Sequence, residues 1–129
     1  MLIETKISVG ELLDKTSILK IKNEKIKDKI KLVEVKKELS YLEEIIKKNN
    51  LLSDNMFIEL FNSLIEINKT LWDIEDEIRK KEKIKKFDEN FVQLARSVYI
   101  KNDERFKIKN SINLHFGSEI KEVKSYKEY

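Results

Sequence analysis

Hydrophobic residues recur every three or four positions through residues 54–82, the longest regular stretch of the chain. This spacing places them on one face of an α-helix, with Asp54 available to cap the first turn and the only tryptophan, Trp72, beside the stripe. A helix of about eight turns must bury such a stripe to be stable. We therefore predict a central helix around which the other elements pack. Its apolar stripe consists of Phe57, Leu60, Phe61, Leu64, Ile67, Leu71, Ile74 and Ile78.

The apolar positions before the central helix form two stripes, one over residues 12–33 and one over residues 32–46. The two stripes do not share one helical phase, and continuing the first would bury charged side chains such as Lys37 and Glu44, which is costly. We therefore predict a break near residues 27–29, with Asp28 capping a second helix. A single bent helix is the alternative.

Polar residues and glycine mark the remaining helix ends. Ser8 followed by Glu11 is the pattern of a capping box, Asp88 can cap a last helix, and Gly117 stands where a left-handed residue would end that helix. The predicted segments are an extended arm at 1–7, helices at about 8–27, 29–48, 54–83 and 88–116, and a tail at 118–129.

The composition agrees with long helices, because 129 residues include no proline and two glycines, with 40% charged and 40% hydrophobic residues. We expect an all-α fold in one domain at 8–117. The predicted architecture is an antiparallel bundle of about four helices, in which the central and last helices form the core pair. The helices carry more apolar surface than a thin bundle hides, so we predict a homodimer with a coiled-coil-like seam. The residues of this seam are Leu32, Val35, Leu39 and Leu42.

The charge balance argues against a nucleic-acid partner. The 27 basic and 24 acidic residues give a net charge of +3, and acidic residues interrupt the lysine-rich runs, which also lack aromatic residues for base stacking. No apolar run reaches the roughly 20 residues that a membrane span needs, and no signal peptide is visible. The cytoplasm is the expected compartment.

Few residue types suited to metal binding or catalysis are available. The chain has no cysteine and one histidine, so thiolate and His-rich zinc sites are excluded. Glu11 with Asp14, and Asp73 with Asp76, have the spacing of paired acids on one helix face, but the denser acidic pattern of magnesium-dependent nucleotide hydrolases is missing. We therefore expect no metal and no cofactor, and the sequence assigns no catalytic residue.

Arginine is the most specific signal in this lysine-rich chain, which keeps it only at Arg79, Arg96 and Arg105. The planar guanidinium matters where two hydrogen bonds to a carboxylate or phosphate are required. One interpretation is structural ion pairing with neighbouring acids, and the other is a pocket for an anionic ligand. Antiparallel pairing of the last two helices would bring the arginines level with one another. We predict one polar cluster formed by Arg79, Arg96, Arg105, Glu75, Tyr99 and Asn102, close to Glu11 and Lys15 of the first helix.

Four segments carry a resemblance to a known family: SVGELLDKTSILKIK (8–22), LWDIEDEIR (71–79), LARSVYIKNDERFKIKNSIN (94–113) and EVKSY (122–126). In this order they resemble a family of small helical proteins from bacteria and phages known as a domain of unknown function. The resemblance covers most of the chain and implies no activity. It marks as motif positions Glu11, Asp14, Lys15, Trp72, Glu75, Arg79, Arg96, Tyr99, Asn102, Arg105 and Asn113.

Two hypotheses for the function follow. The first is a non-catalytic helical module, present as a homodimer, that binds a protein or an anionic small molecule. The second is a small all-α enzyme acting on a phosphorylated or carboxylated small molecule of the nucleotide or sugar-phosphate type. A buried cluster of the three arginines beside a cavity would favour the enzyme, and fully paired arginines on a solid core would favour the module.

Overall fold

Four α-helices that pack together form the protein, and a computed structural model describes all 129 residues. The helices are α1 (Val9–Lys25), α2 (Lys29–Lys48), α3 (Phe57–Lys83) and α4 (Glu89–His115), with a short 3-10 helix at Leu51–Ser53. No strand is present, and residues 1–8 and 118–129 have no regular secondary structure apart from bends at 119–120. The predicted all-α class is confirmed. None of the four helices has the length and apolar character that a membrane crossing requires.

Regular helix is interrupted between α1 and α2 at residues 26–28, where the two apolar stripes predicted an interruption. Ile26 has extended backbone angles, and Asp28 accepts hydrogen bonds from two backbone N–H groups of the first turn of α2. The first stripe stops at this break, because Ile30 and Val33 are 82% and 63% exposed. A single bent helix is therefore excluded.

The first turns of α1 and α4 are also capped by side chains. Ser8 accepts a hydrogen bond from the backbone N–H of Glu11 at 3.1 Å, and Asp88 accepts one from the backbone N–H of Phe91 at 2.9 Å. The capping box at α1 is only half formed, because the Glu11 carboxylate binds Lys109 of α4 instead of bonding back to Ser8.

The start of α3 was predicted less accurately than the end of α4. The central helix begins at Phe57, three residues later than expected, because Asp54 accepts from the backbone N–H of Met56 in a turn that precedes the helix. Gly117 has a φ of 63°, so the predicted left-handed residue after α4 is confirmed. The backbone N–H of Ser118 then bonds to the carbonyl of Asn113 at 2.8 Å, which is the pattern of a Schellman motif.

The apolar core lies where α1, α2 and the first half of α3 meet. This placement differs from the expected core pair: α3 and α4 pack along each other, but α4 adds a single residue to the core, because α1 reaches only its C-terminal part. The core consists of Leu12, Leu13, Leu19, Val35, Leu39, Leu42, Ile46, Phe57, Phe61, Leu64 and Ile112.

The predicted dimer seam on α2 is wrong in its choice of residues. Val35, Leu39 and Leu42 are buried in the core of their own chain, and Leu32 is half-buried. Side chains that already fill the core of one copy cannot pack against a second copy without unfolding the first. Any dimer must therefore use another surface.

The outer parts of α3 and α4 extend beyond the end of α1. The Lys25 ammonium, at the last residue of α1, lies 3.9 Å from the Asp73 carboxylate, whereas α3 continues to Lys83. No residue in the range 72–108 is buried. We call residues 72–108, which form two helical segments joined by a short connection, the α3–α4 hairpin.

Candidate functional site

A line of polar side chains runs along α4 where this helix meets α1 and α3. Their spacing of three or four residues places them on one helical face. Buried polar groups are costly unless they find partners, so the contacts they make fix how the helices sit against each other. The line on α4 consists of Asn102, Arg105, Lys109 and Asn113, and it faces Asp14, Ser17 and Asn68.

Lys109 is the centre of the buried half of this line, with only 6% of the residue exposed. Its Nζ lies 2.8 Å from Glu11 Oε2, 2.9 Å from Glu122 Oε2 and 3.7 Å from Asp14 Oδ2. Burial by itself lowers the pKa of this amine, but the hydrogen bond to Glu11 and the nearby carboxylates of Glu122 and Asp14 outweigh it and raise the pKa above its ordinary value. Lys109 is therefore a charged contact that joins α1, α4 and the C-terminal tail.

Gly10 allows α1 to approach α4 at this point. A Cβ atom at this position would lie 2.6 Å from the backbone oxygen of Lys109 and 2.8 Å from Oδ1 of Asn113, both shorter than any ordinary contact. The backbone N–H of Gly10 donates to Asn113 Oδ1 at 2.7 Å. The side chain of Asn113 thus satisfies one of the free N–H groups at the start of α1.

Arg105 is held in place by two amide oxygens. Its Nη1 donates to Asn68 Oδ1 at 3.2 Å, and its Nη2 donates to Asn102 Oδ1 at 2.6 Å. Asn68 is itself fixed, because its Nδ2 donates to Asp14 Oδ1 and to Ser17 Oγ, each at 2.8 Å. The guanidinium of Arg105 is therefore oriented by neutral groups. No carboxylate oxygen lies within 4.0 Å of its nitrogens, so it forms no ion pair.

A hollow of about 320 Å³ opens beside Arg105 at the end of α1. Lys22, which lines the same hollow, also has no carboxylate within ion-pair distance. The hollow thus combines two cations without ion pairs, two carboxylates and an apolar wall that includes the only tryptophan. Its lining consists of Ile18, Ile21, Lys22, Asn68, Leu71, Trp72, Glu75, Asp76 and Arg105.

The three arginines do not form one cluster, which corrects the predicted arrangement. Arg79 Nη2 lies 3.2 Å from Glu75 Oε2 on the exposed surface of α3, one turn beyond the hollow. Arg96 is exposed, and its Nη1 donates to Gln93 Oε1 at 3.2 Å. The reason is the length of α1, which covers α4 near Arg105 but ends before it reaches the level of the other two.

Four of the other predicted site residues divide among three places. Asn102 lies beside the hollow, where it accepts a hydrogen bond from Arg105, and Glu75 is one of the lining residues. Glu11 belongs to the Lys109 contact, whereas Lys15 forms an exposed ion pair with α2 at 3.2 Å. Neither residue of α1 lines the hollow, because both precede the turn of α1 that borders it.

Tyr99 lies apart from the hollow, in a groove of about 810 Å³ between α4 and the C-terminal tail. Its ring meets that of Tyr129 edge-on at 5.3 Å, and the Tyr129 hydroxyl donates to Asp103 Oδ2 at 2.6 Å. This hydrogen bond raises the pKa of Tyr129 above its ordinary value. The tail therefore packs back along α4, with Lys124 over the ring of Phe106 at 5.1 Å.

Three important residues were missed by the sequence interpretation: Lys22, Asn68 and Lys109. Asn68 falls in helical register between Leu64 and Leu71, so a polar residue in the apolar face of the central helix was the available signal. Lys109 likewise continues the polar spacing of α4. Nothing in the sequence distinguished Lys22 from the other lysines of α1.

No group of three or more histidine, cysteine, aspartate or glutamate side chains is arranged to hold a metal ion. The acid pair Glu11 and Asp14 surrounds the ammonium of Lys109, so its two carboxylates already have a cation.

The chain matches no family model, no curated protein and no solved structure. The resemblance to the family of small bacterial and phage proteins therefore stays a prediction.

Proposed function

We propose that the protein is a non-catalytic helical binding module that holds a small phosphorylated or carboxylated molecule in the hollow beside Arg105. One observation carries this proposal: the Arg105 guanidinium is oriented by the amide oxygens of Asn68 and Asn102, while its charge lacks a carboxylate partner. A positioned guanidinium with free donors matches the fork of a carboxylate or phosphate. Arg79, which is neutralised by Glu75, fits the structural role instead.

The lining of the hollow defines the kind of ligand. Arg105 and Lys22 attract an anionic group, and the carboxylates of Glu75 and Asp76 accept hydrogen bonds from hydroxyl or amine groups. Trp72 and the isoleucines of α1 provide an apolar wall for the body of the molecule. The volume is at the lower end of the roughly 300–1,000 Å³ of ordinary ligand pockets, which favours a small molecule such as a sugar phosphate.

Trp72 reports directly on this site, because it is the only tryptophan and lines the hollow. Titration with inorganic phosphate, glycerol 3-phosphate and glucose 6-phosphate should change its fluorescence, whereas glycerol and glucose should not. Arg105→Lys keeps the charge but loses the fork and both amide contacts. Because charge-assisted hydrogen bonds contribute about 1.5–3 kcal/mol each, we expect at least a tenfold weaker affinity.

The matched control is Arg96→Lys, since Arg96 is exposed and lies outside the hollow. This variant should bind as the wild type does. Equal loss of affinity in both variants, or a fluorescence change as large with glycerol as with its phosphate, would reject the site. Circular dichroism of both variants checks that the helices remain folded.

A second candidate function, an enzyme acting on the same class of molecule, is favoured by the two carboxylates in the hollow. Glu75 and Asp76 face the same space as Arg105, where an acid or a base would be needed for proton transfer. Asp76→Asn separates the two functions. An enzyme would lose turnover of the bound phosphate ester, whereas a binding module would show no turnover before or after the change.

The proposal extends to the arrangement and location of the chain. An antiparallel α3–α4 pair is supported by the short connection at residues 84–88. A homodimer is supported by the α3–α4 hairpin, which has no buried residue of its own. A cytoplasmic location stays a prediction, which fractionation of the source cells would test.

A further inference from the structure

Asn68 lies between the buried carboxylate of Asp14 and the guanidinium of Arg105. Its Nδ2 donates to Asp14 Oδ1 at 2.8 Å, and its Oδ1 accepts from Arg105 Nη1 at 3.2 Å. Asp14 and Asn68 are each 5% exposed, so water has little access to this contact. A neutral amide thus separates two groups of opposite charge.

The orientation of the Asn68 amide is decided from both sides. Ser17 Oγ donates to the backbone oxygen of Asp14 at 2.7 Å, so the hydroxyl can only accept from Asn68 Nδ2. The carboxylate of Asp14 is an acceptor as well, whereas the guanidinium of Arg105 has only donors. The amide must therefore turn its NH2 group toward α1 and its oxygen toward Arg105.

This arrangement holds Arg105 without using up its donors. A guanidinium has five N–H groups, and the hydrogen bonds to Asn68 and Asn102 occupy two of them. A carboxylate in direct contact would instead form a charge-assisted hydrogen bond and neutralise the cation. Arg79 shows that alternative on the surface of α3, where its Nε and Nη2 lie 3.3 and 3.2 Å from Glu75 Oε2.

We propose that Asn68 is a specificity-determining spacer, which keeps the carboxylate of Asp14 away from Arg105 and so leaves the guanidinium free for the anionic group of a ligand. The inference rests on the proposed function and identifies the residue that keeps the hollow selective for anions. Asp14 and Ser17 are then positioning residues, because they act on the ligand only through the orientation of Asn68. A purely structural asparagine would also need paired hydrogen bonds, but the place of the negative charge beside it would not affect ligand binding.

Exchanging the two side chains tests the spacer directly. Asp14→Asn/Asn68→Asp keeps the composition, the net charge and nearly the same side-chain shapes. The exchange takes the negative charge away from Lys109, which lies 3.7 Å from Asp14 Oδ2, and puts it beside Arg105. The new ion pair must break before a ligand can bind, so we expect at least about tenfold weaker affinity for glucose 6-phosphate in the Trp72 titration. Circular dichroism checks that the helices remain folded.

The exposed surface of α4 offers a matched control with the same order of groups. The Glu89 carboxylate accepts from Gln93 Nε2 at 2.7 Å, and Gln93 Oε1 accepts from Arg96 Nη1 at 3.2 Å. Glu89→Gln/Gln93→Glu makes the same exchange beside an arginine that lies outside the hollow. This variant should bind glucose 6-phosphate as the wild type does.

Asp14→Asn alone separates the spacer from a structural role. This change removes the same charge from Lys109 but leaves the amide of Asn68 beside Arg105. We expect lower stability in urea unfolding, whereas the affinity for glucose 6-phosphate should stay within about threefold of the wild type, because no carboxylate has moved onto the guanidinium. Equal loss of affinity in Asp14→Asn and in the exchange variant would assign the loss to structure and overturn the spacer.

A second variant covers the case in which the exchange variant does not fold. Asn102 is half-buried and gives Arg105 its other oxygen partner, 2.6 Å from Nη2. Asn102→Asp places a carboxylate on the guanidinium without touching the buried contact, so we expect at least about tenfold weaker affinity here too. Wild-type affinity in this variant would show that a direct carboxylate partner leaves the guanidinium free, and the spacer would be refuted.

The outcomes distinguish this inference from the proposed function. A wild type that binds no phosphate ester overturns the proposed function and the spacer together. A wild type that binds, with an exchange variant of equal affinity, overturns the spacer alone. The spacer is also wrong if the exchange on the surface of α4 weakens binding as much as the exchange at positions 14 and 68.

Discussion

Lys109→Met tests whether the buried polar line holds α1 against α4. Methionine keeps most of the side-chain volume and removes the ammonium from three carboxylates. The side chains of Glu11 and Glu122 are 48% and 36% exposed, so each can turn to water, and losing each of these ion pairs costs about 1 kcal/mol or less. The side chain of Asp14 is 7% exposed and loses its counter-charge in place, for about 1–3 kcal/mol. We expect a total destabilisation of about 3 kcal/mol.

The assay is urea unfolding followed by circular dichroism, with the slope of the transition compared between variants. Lys101→Met is the matched control on the same helix, because Lys101 pairs with Glu104 one turn away and both side chains are partly exposed. This change should cost no more than about 0.5 kcal/mol. If the two variants lose the same stability within that margin, the Lys109 contact does not hold the helices together and the reasoning fails.

Two further predictions concern backbone contacts. Gly10→Ala should destabilise the protein by about 2 kcal/mol in urea unfolding, although alanine favours helix, because the new Cβ would lie 2.6 Å from the carbonyl oxygen of Lys109. Gly117→Ala should cost only about 1 kcal/mol, because nothing lies within 4 Å of the new Cβ and only the φ of 63° is unfavourable for alanine. The hydrogen bonds that Asp88 accepts from the backbone N–H of Phe91 and from Lys81 lower its pKa in the folded protein below the ordinary 3.8. The ionised carboxylate of Asp88 therefore stabilises the protein above pH 3.8, and this stabilisation is lost as the pH falls through the lowered pKa of the folded state. Asp88→Asn should therefore shrink the difference in urea midpoint between pH 6 and pH 3, and an unchanged difference would contradict this assignment.

The helices could be predicted from the sequence because their signals are local. The phase of apolar positions before and after residue 28 is a property of the chain itself, and it located the break that the structure contains. The caps at Ser8, Asp28 and Asp88 are likewise decided within one turn of helix. Where the prediction needed the distance between elements, as for the seam on α2, it was wrong.

The candidate site was predicted only in part because it depends on where α1 ends relative to α4. Arg105 and Arg96 both belong to α4, but only Arg105 lies level with Asn68 and the last turns of α1. No local pattern shows that a helix of seventeen residues reaches one and not the other. The contact between Asn68 and Arg105 joins residues 37 positions apart, and such pairs follow from packing alone.

The central claim is that Arg105, alone among the three arginines, binds an anionic ligand beside Trp72. Proton–nitrogen correlation spectra resolve it directly, because the chain offers only three arginine Nε–H signals and one indole N–H. Titration with glucose 6-phosphate should shift the Arg105 and Trp72 signals together with one saturating curve, and leave Arg79 and Arg96 unchanged. Equal, non-saturating shifts of the Nε–H signals of all three arginines, or an indole N–H signal of Trp72 that does not shift, would contradict this assignment.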